Sequence, residues 1–142
     1  MTRIRTALAA ALTATALLSG TTAMADDNAA AQKFAAERLT LFGKGDAAGL
    51  LAQYADDATV ISPMGVLQGR DQIKAMIDGI IGEFAQPGVT FNLLTQNAEG
   101  DVVAFTWTAV TARNTYDLGA ETYVLKDGRI DYQTFAAKVT PR

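Results

Sequence analysis

The chain of 142 residues has no cysteine and no histidine, only three prolines and a single tryptophan. Without cysteine or histidine it has no thiol nucleophile, no Ser-His triad, no imidazole base and no zinc site of the ordinary Cys/His type. No disulfide can brace the fold, so hydrophobic burial must hold it. The carboxylates show no liganding pattern such as a calcium loop, and neither a metal nor a cofactor is expected. Basic charge is scarce too. Met1 to Ala25 reads as a secretory signal, with Arg3 and Arg5 at its positive start, an apolar stretch from Ala7 to Ser19, and Ala23-Met24-Ala25 as the small-x-small cleavage site. Removing Arg3 and Arg5 from the 12 basic residues leaves 10 against 15 acidic ones, a net charge of −5. Nucleic acid is therefore not an expected partner. The expected organisation is a signal peptide over 1–25 and one domain over 26–142, exported to the periplasm or secreted, with no membrane segment left after cleavage and no cysteine for a lipid anchor.

What is present is an ordered series of helix, strand and turn signals. Asn28 to Phe42 predicts a first helix, with Asn28 as its cap and Ala31, Ala35, Leu39 and Phe42 along one side. Gly43 and Gly45 end it, and Asp46 can cap a short second helix whose apolar side holds Leu50, Leu51 and Tyr54. Asp56 and Asp57 break that pattern, after which Thr59, Val60 and Ile61 switch to β-branched residues and predict a strand. Pro63 and Gly65 turn the chain, and a third helix follows Gly69, with Ile73, Met76, Ile77, Ile80, Ile81 and Phe84 at three-four spacing. Strands are then expected at Val89 to Gln96, Val102 to Ala112, Leu118 to Leu125 and Ile130 to Val139, with Asn114 to Asp117 as a connection. The last two join through Lys126-Asp127-Gly128-Arg129.

Taken together, the GKGD junction at Gly43 to Asp46, the YADDATV corner at Tyr54 to Val60, the bend at Pro63, the GRDQI helix start at Gly69 and the LKDGRI hairpin at Leu125 resemble the nuclear transport factor two-like superfamily, also called SnoaL-like. The likeness extends from about Phe34 to Val139. That superfamily includes ketosteroid isomerases, polyketide cyclases, scytalone dehydratases and many binding proteins, so it implies a fold far more than a reaction. The implied fold class is α+β, a cone-shaped curved mixed β-sheet of the cystatin-like type wrapped around three N-terminal helices, with a pocket at the wide end. Homodimerisation through the sheet is common in the superfamily and is expected here.

Against the ketosteroid isomerase branch, the residues depart at the chemistry. The general base of that branch is an acid immediately before the proline of the corner, and here that position is Ser62. A serine hydroxyl is too weak a base to remove a proton next to a carbonyl, and no histidine is there to activate it. The oxyanion-stabilising tyrosine of that branch falls at Arg38, and its protonated acid at Glu121. An Arg38–Glu121 ion pair is expected, which would cost Glu121 the ability to donate a hydrogen bond to an enolate. Arg38 alternatively binds a carboxylate or carbonyl of a ligand, or reaches solvent.

Asp131 and Gln133 are polar where a core strand would be apolar. If Gly128 makes a bulged three-residue loop, Glu121, Tyr123, Asp131, Gln133 and Phe135 share a face; a two-residue loop instead puts Glu121 with Tyr132 and Thr134. The Asp-Gly-basic pattern of the superfamily favours the bulged loop. Asp131 and Glu121 are then the candidate catalytic groups, and Arg38, Tyr54, Ser62, Phe91, Trp107, Tyr123, Gln133 and Phe135 the candidate ligand-binding residues. Three functions follow: a binding protein for a small apolar or carbonyl-containing molecule, an acid-base isomerase, cyclase or dehydratase, or a ligand-free interaction module.

Overall fold

The computed structural model describes residues 19–142, with side-chain positions from Asn28 onward. The expected signal peptide lies outside the described residues as far as position 18. Nine elements follow in the order α1 (Ser19–Gly43), α2 (Ala47–Ala52), β1 (Tyr54–Ser62), β2 (Gly65–Gln68), α3 (Arg70–Phe84), β3 (Thr90–Glu99), β4 (Val102–Val110), β5 (Asn114–Lys126) and β6 (Arg129–Pro141). Among the described residues, no helix is long and apolar enough to cross a membrane.

The six strands form one curved, unclosed sheet in the order β2-β1-β6-β5-β4-β3. It is mixed, because β1 runs parallel to β6 while the other pairs are antiparallel. The α+β class expected from the sequence is the class observed. The core joins Ala31, Phe34 and Ala35 of α1, Leu50 of α2 and Ile73 and Ile77 of α3 to Val103, Phe105, Trp107 and Tyr123 of the sheet.

The glycine-rich junction behaves as its composition dictates. Gly45 takes φ 65; its amide donates to the Phe42 carbonyl at 3.0 Å and the Asp46 amide to that of Leu41 at 3.0 Å, the pairing that closes a helix on a left-handed residue. Asp46 then caps α2, its Oδ1 accepting from the Gly49 amide at 2.8 Å. This abrupt turn sets α2 against α3 and leaves Arg38, one turn before the end of α1, beside the first strand.

Several boundaries differ from expectation. The first helix is already formed at Ser19, so Asn28 is not its cap; the Asn28 side chain instead accepts from the Gly100 amide at 2.8 Å and ties α1 to the β3–β4 turn. Tyr54 is not on α2 but begins β1, fully buried, and Asp56 and Asp57 continue that strand. Asp56 is spent on an exposed ion pair with Arg70 at 3.2 Å. Asn114 to Asp117 belong to β5 rather than to a connection.

The β5–β6 hairpin corrects the expected three-residue loop. Asp127 at φ 51 and Gly128 at φ 74 are the only two residues between Lys126 and Arg129, which pair, as do Leu125 and Ile130. Both central residues have positive φ, as a tight two-residue hairpin requires. The next pair is Val124 with Tyr132, so Asp131 is the extra residue of a bulge. Beyond it, Tyr123 pairs with Gln133 and Glu121 with Phe135. The bulge thus restores the shared face of Glu121, Tyr123, Gln133 and Phe135, and leaves Asp131 out of it.

At the other end of the sheet, Glu83 of α3 accepts from Thr111 Oγ1 at 2.7 Å and Asn114 Nδ2 at 2.8 Å and pairs with Arg113 at 3.4 Å. Burial alone would raise the pKa of this carboxyl, but the bonds from Thr111 and Asn114 and the charge of Arg113 outweigh it and hold the pKa below its ordinary value. A depressed folded-state pKa contributes stability above the unfolded value, about 4.3 for Glu, and that contribution is lost as pH falls through the folded value. The urea midpoint is therefore expected to fall with pH below about 4.3, and to fall less steeply in Glu83→Gln. Equal acid sensitivity of the two proteins would assign the effect to other carboxylates.

Candidate functional site

The apolar face of α3 is not fully buried. Ile73 and Ile77 are, whereas Met76, Ile80 and Phe84 are half-exposed although they face the interior. Leu39 and Phe42 of α1 and Phe91 and Phe135 of the sheet are half-exposed in the same way. Apolar side chains that face one another without covering one another enclose a space. Here it is a cavity of about 340 Å³ between α1, α3 and the strands β3 to β6. Pro63 and Met64, from the β1–β2 turn, also line it, and Met64 is 87% exposed, which puts that turn at the rim.

One wall is aromatic. Trp107 has Phe91 at 5.4 Å, Tyr116 at 5.6 Å and Phe84 at 5.9 Å between ring centroids, and Phe135 lies nearly parallel to it at 6.5 Å. The indole can lie flat there because Gly119 is opposite it on β5: a Cβ at that position would stand 2.3 Å from Trp107 Cε2.

The other wall is polar. Arg38, Glu121, Tyr123 and Gln133 all reach the cavity. Arg38 donates from Nη1 to Gln53 Oε1 at 3.1 Å and from Nη2 to the Tyr54 hydroxyl at 2.9 Å. Its guanidinium lies 5.2 Å from the Tyr54 ring centroid and 4.7 Å from that of Tyr123, within cation–π range. Tyr54 donates in turn to Gln133 Oε1. Glu121 accepts from Trp107 Nε1 at 3.0 Å, from the Tyr123 hydroxyl and from Gln133 Nε2 at 3.3 Å.

These contacts correct the expected ion pair. No salt bridge joins Arg38 to Glu121; the two are linked through Tyr54 and Gln133. Burial opposes the charge on Arg38, but Tyr123, Tyr54 and Glu121 around it more than offset that, and its pKa is raised. Burial is also the first cause of the raised pKa of Tyr54 and of Tyr123, with Glu121 adding to both. The two phenols therefore remain neutral O–H donors across the physiological range.

Of the residues singled out in the sequence, Arg38, Glu121, Tyr123, Gln133, Phe91, Trp107 and Phe135 line the cavity together. Tyr54 lies behind Arg38 with no exposed surface. Ser62 sits at the rim turn, where its hydroxyl accepts from the Met64 amide at 3.2 Å and donates to the Gly65 carbonyl at 3.3 Å, a turn-stabilising role. Asp131, displaced by the bulge, is not among the lining residues, so the candidate base suggested by strand alternation is not placed at the cavity. Sequence reading missed Gln53, which holds Arg38 in place; a glutamine at a helix end carries no signal of that task. The apolar spacing of α3 was legible, but spacing does not distinguish core from the cavity wall that Met76, Ile80 and Phe84 form.

A curved mixed sheet with N-terminal helices against it and an apolar cavity between them defines a class of small pocket-forming α+β proteins. Within that class the chain belongs to the SnoaL-like domain family, whose model matches residues 31–133. No curated protein matches the chain. Among solved structures, it is similar to a protein of unknown function from Mesorhizobium loti, like nuclear transport factor two, at 22% identity over 80% of this chain and 94% of that one, with a TM-score of 0.68. It is similar to a SnoaL-like protein of unknown function from Burkholderia thailandensis at 24% identity, covering 78% of this chain and 96% of that one, with a TM-score of 0.63. An epoxide hydrolase/cyclase-like enzyme of salinomycin pyran-ring formation, SalBIII, shares 16% identity over 78% of this chain and 95% of that one, with a TM-score of 0.65. At such identities the likeness is one of fold.

Proposed function

We propose that the protein binds a small, mostly apolar molecule in the cavity, with Arg38, Glu121 and Gln133 setting its orientation, and that it binds without transforming it. The observation that carries this reading is the cavity itself: about 340 Å³ walled by apolar and aromatic groups, with polar atoms gathered on one side. Such a combination is what small-molecule sites have in common. Binding is favoured over catalysis because the isomerase base position is Ser62, engaged in a turn, and Asp131 is not at the cavity.

The one observation on the side of an acid-base enzyme is Glu121, a carboxylate that lines an apolar cavity together with a guanidinium. Its two oxygens already accept from three protein donors, which argues for a positioning role over proton abstraction.

Export to the periplasm or beyond, and pairing of two copies through the outer sheet face, belong to the same proposal. Ile61 and Val66, cross-strand partners, and Tyr132 are exposed apolar residues on β1, β2 and β6 that favour pairing there.

Trp107 offers the readout. As the only tryptophan, it gives one indole N–H resonance. That resonance is expected to shift saturably when naphthalene is added, and Ile80→Phe, which places a ring in the cavity, is expected to weaken the response several-fold. A resonance that does not move, or a response unaffected by Ile80→Phe, would count against the cavity as the site.

A further inference from the structure

The polar wall restricts the chemistry of the ligand, once the cavity is read as its binding site. An arginine has five N–H donors and a carboxylate about four lone-pair positions, two on each oxygen. Arg38 directs one donor to Gln53 and one to Tyr54, and among the described residues it meets no carboxylate. Donors are left over on the guanidinium. Glu121 Oε2 is filled by Tyr123 and Gln133, whereas Oε1 accepts only from Trp107. One acceptor position is left over there. The charged pair therefore presents spare donors on Arg38 and one spare acceptor position on Glu121 Oε1, and the formal charges of the two cancel.

A neutral hydroxyl answers both: its oxygen accepts from Arg38 while its proton goes to Glu121 Oε1. A ketone or ether has no proton for Glu121, so it satisfies one side only. A carboxylate has none either, and it brings a second negative charge beside the first, in a site where burial strengthens the repulsion. Size adds a second limit. An apolar cavity of roughly 150 Å³ holds benzene, and this one, at about 340 Å³, is a little more than twice as large. We propose that the cavity takes a neutral hydroxy compound, an alcohol or phenol with an apolar body of about two fused rings, its hydroxyl set between Arg38 and Glu121.

The experiment is calorimetric titration of the full protein with 2-naphthol, 2-methoxynaphthalene, naphthalene and 2-naphthoate, which share one body and differ in the head. 2-Naphthol is expected to bind about ten-fold or more tighter than 2-methoxynaphthalene, the effect of one hydrogen bond to a charged group. Naphthalene is expected to follow, and 2-naphthoate to bind more weakly than 2-naphthol. In Arg38→Met, 2-naphthol is expected to lose about ten-fold while naphthalene holds its affinity; a merely structural loss would weaken both alike. Equal binding of 2-naphthol and 2-methoxynaphthalene, or tightest binding of 2-naphthoate, overturns the hydroxyl assignment and leaves the cavity as a ligand site. Binding of none of the four removes the cavity reading and the assignment together.

Discussion

Glu121→Ala is expected to lower the stability of the fold by about 2–4 kcal/mol, because it strips the acceptor from three donors at once and each buried donor left unpaired costs about 1–3 kcal/mol. The three donors, Trp107, Tyr123 and Gln133, are 4%, 1% and 3% exposed, so only water entering the cavity they line can replace the lost oxygens. Gln133 is already committed to the Tyr54 hydroxyl through its carbonyl oxygen. A loss of this size is a large part of the 5–15 kcal/mol that typically separates folded from unfolded states. Glu121→Gln retains one acceptor and is expected to lose roughly half as much. Urea denaturation of the three proteins checks the order. If Glu121→Ala unfolds at the wild-type urea concentration, the carboxylate does not hold the polar wall together.

Gly119→Ala is the second large effect expected, and it acts on the opposite wall. The added Cβ would stand 2.3 Å from Trp107 Cε2 and 2.4 Å from Cζ2, far inside contact distance. The indole cannot swing away freely: its Nε1 is bound to Glu121, and Phe84, Phe91, Tyr116 and Phe135 surround it. Overpacking of this kind typically costs about 1–3 kcal/mol. It should also displace the indole into the cavity or away from Glu121. The expected signature is a lowered urea midpoint together with a shifted emission maximum from the single tryptophan. An unchanged midpoint with an unchanged spectrum would mean that Trp107 does not lie over Gly119.

The order of elements was legible in the sequence because local chemistry dictates it. Gly45 at positive φ, the Asp46 cap and the apolar spacing of α3 are decided by residues within one or two turns of one another. The polar wall depends on contacts that no local pattern encodes. Arg38 and Tyr54 are sixteen residues apart and Tyr54 and Gln133 seventy-nine. The expected ion pair followed from setting Arg38 and Glu121 at the two oxyanion positions of the isomerase branch; in the fold, the hydroxyl of Tyr54, which begins β1, stands between Arg38 and Gln133 instead. The parallel pairing of β1 with β6 is what brings these groups together.

The hairpin shows a different gap between sequence and structure. The bulged three-residue loop was expected, but Asp127 and Gly128 both take positive φ and the chain makes a two-residue turn. Strict alternation from it would have put Glu121 opposite Thr134 and turned Gln133 to the other face. The extra residue at Asp131 corrects the register, so that Ile130, Gln133 and Phe135 can all serve the inner side. Such a bulge answers to the packing of the whole sheet, and it takes Asp131 off the face on which the expected three-residue loop had set it.

Native mass spectrometry of the protein, gently recovered from the cells or medium that produced it, tests whether the cavity is a ligand site. The expected spectrum shows a reproducible adduct of one small molecule per chain, reduced or absent in Ile80→Phe. A bare mass for the wild-type protein, unchanged after addition of naphthalene or 2-naphthol, would contradict the claim.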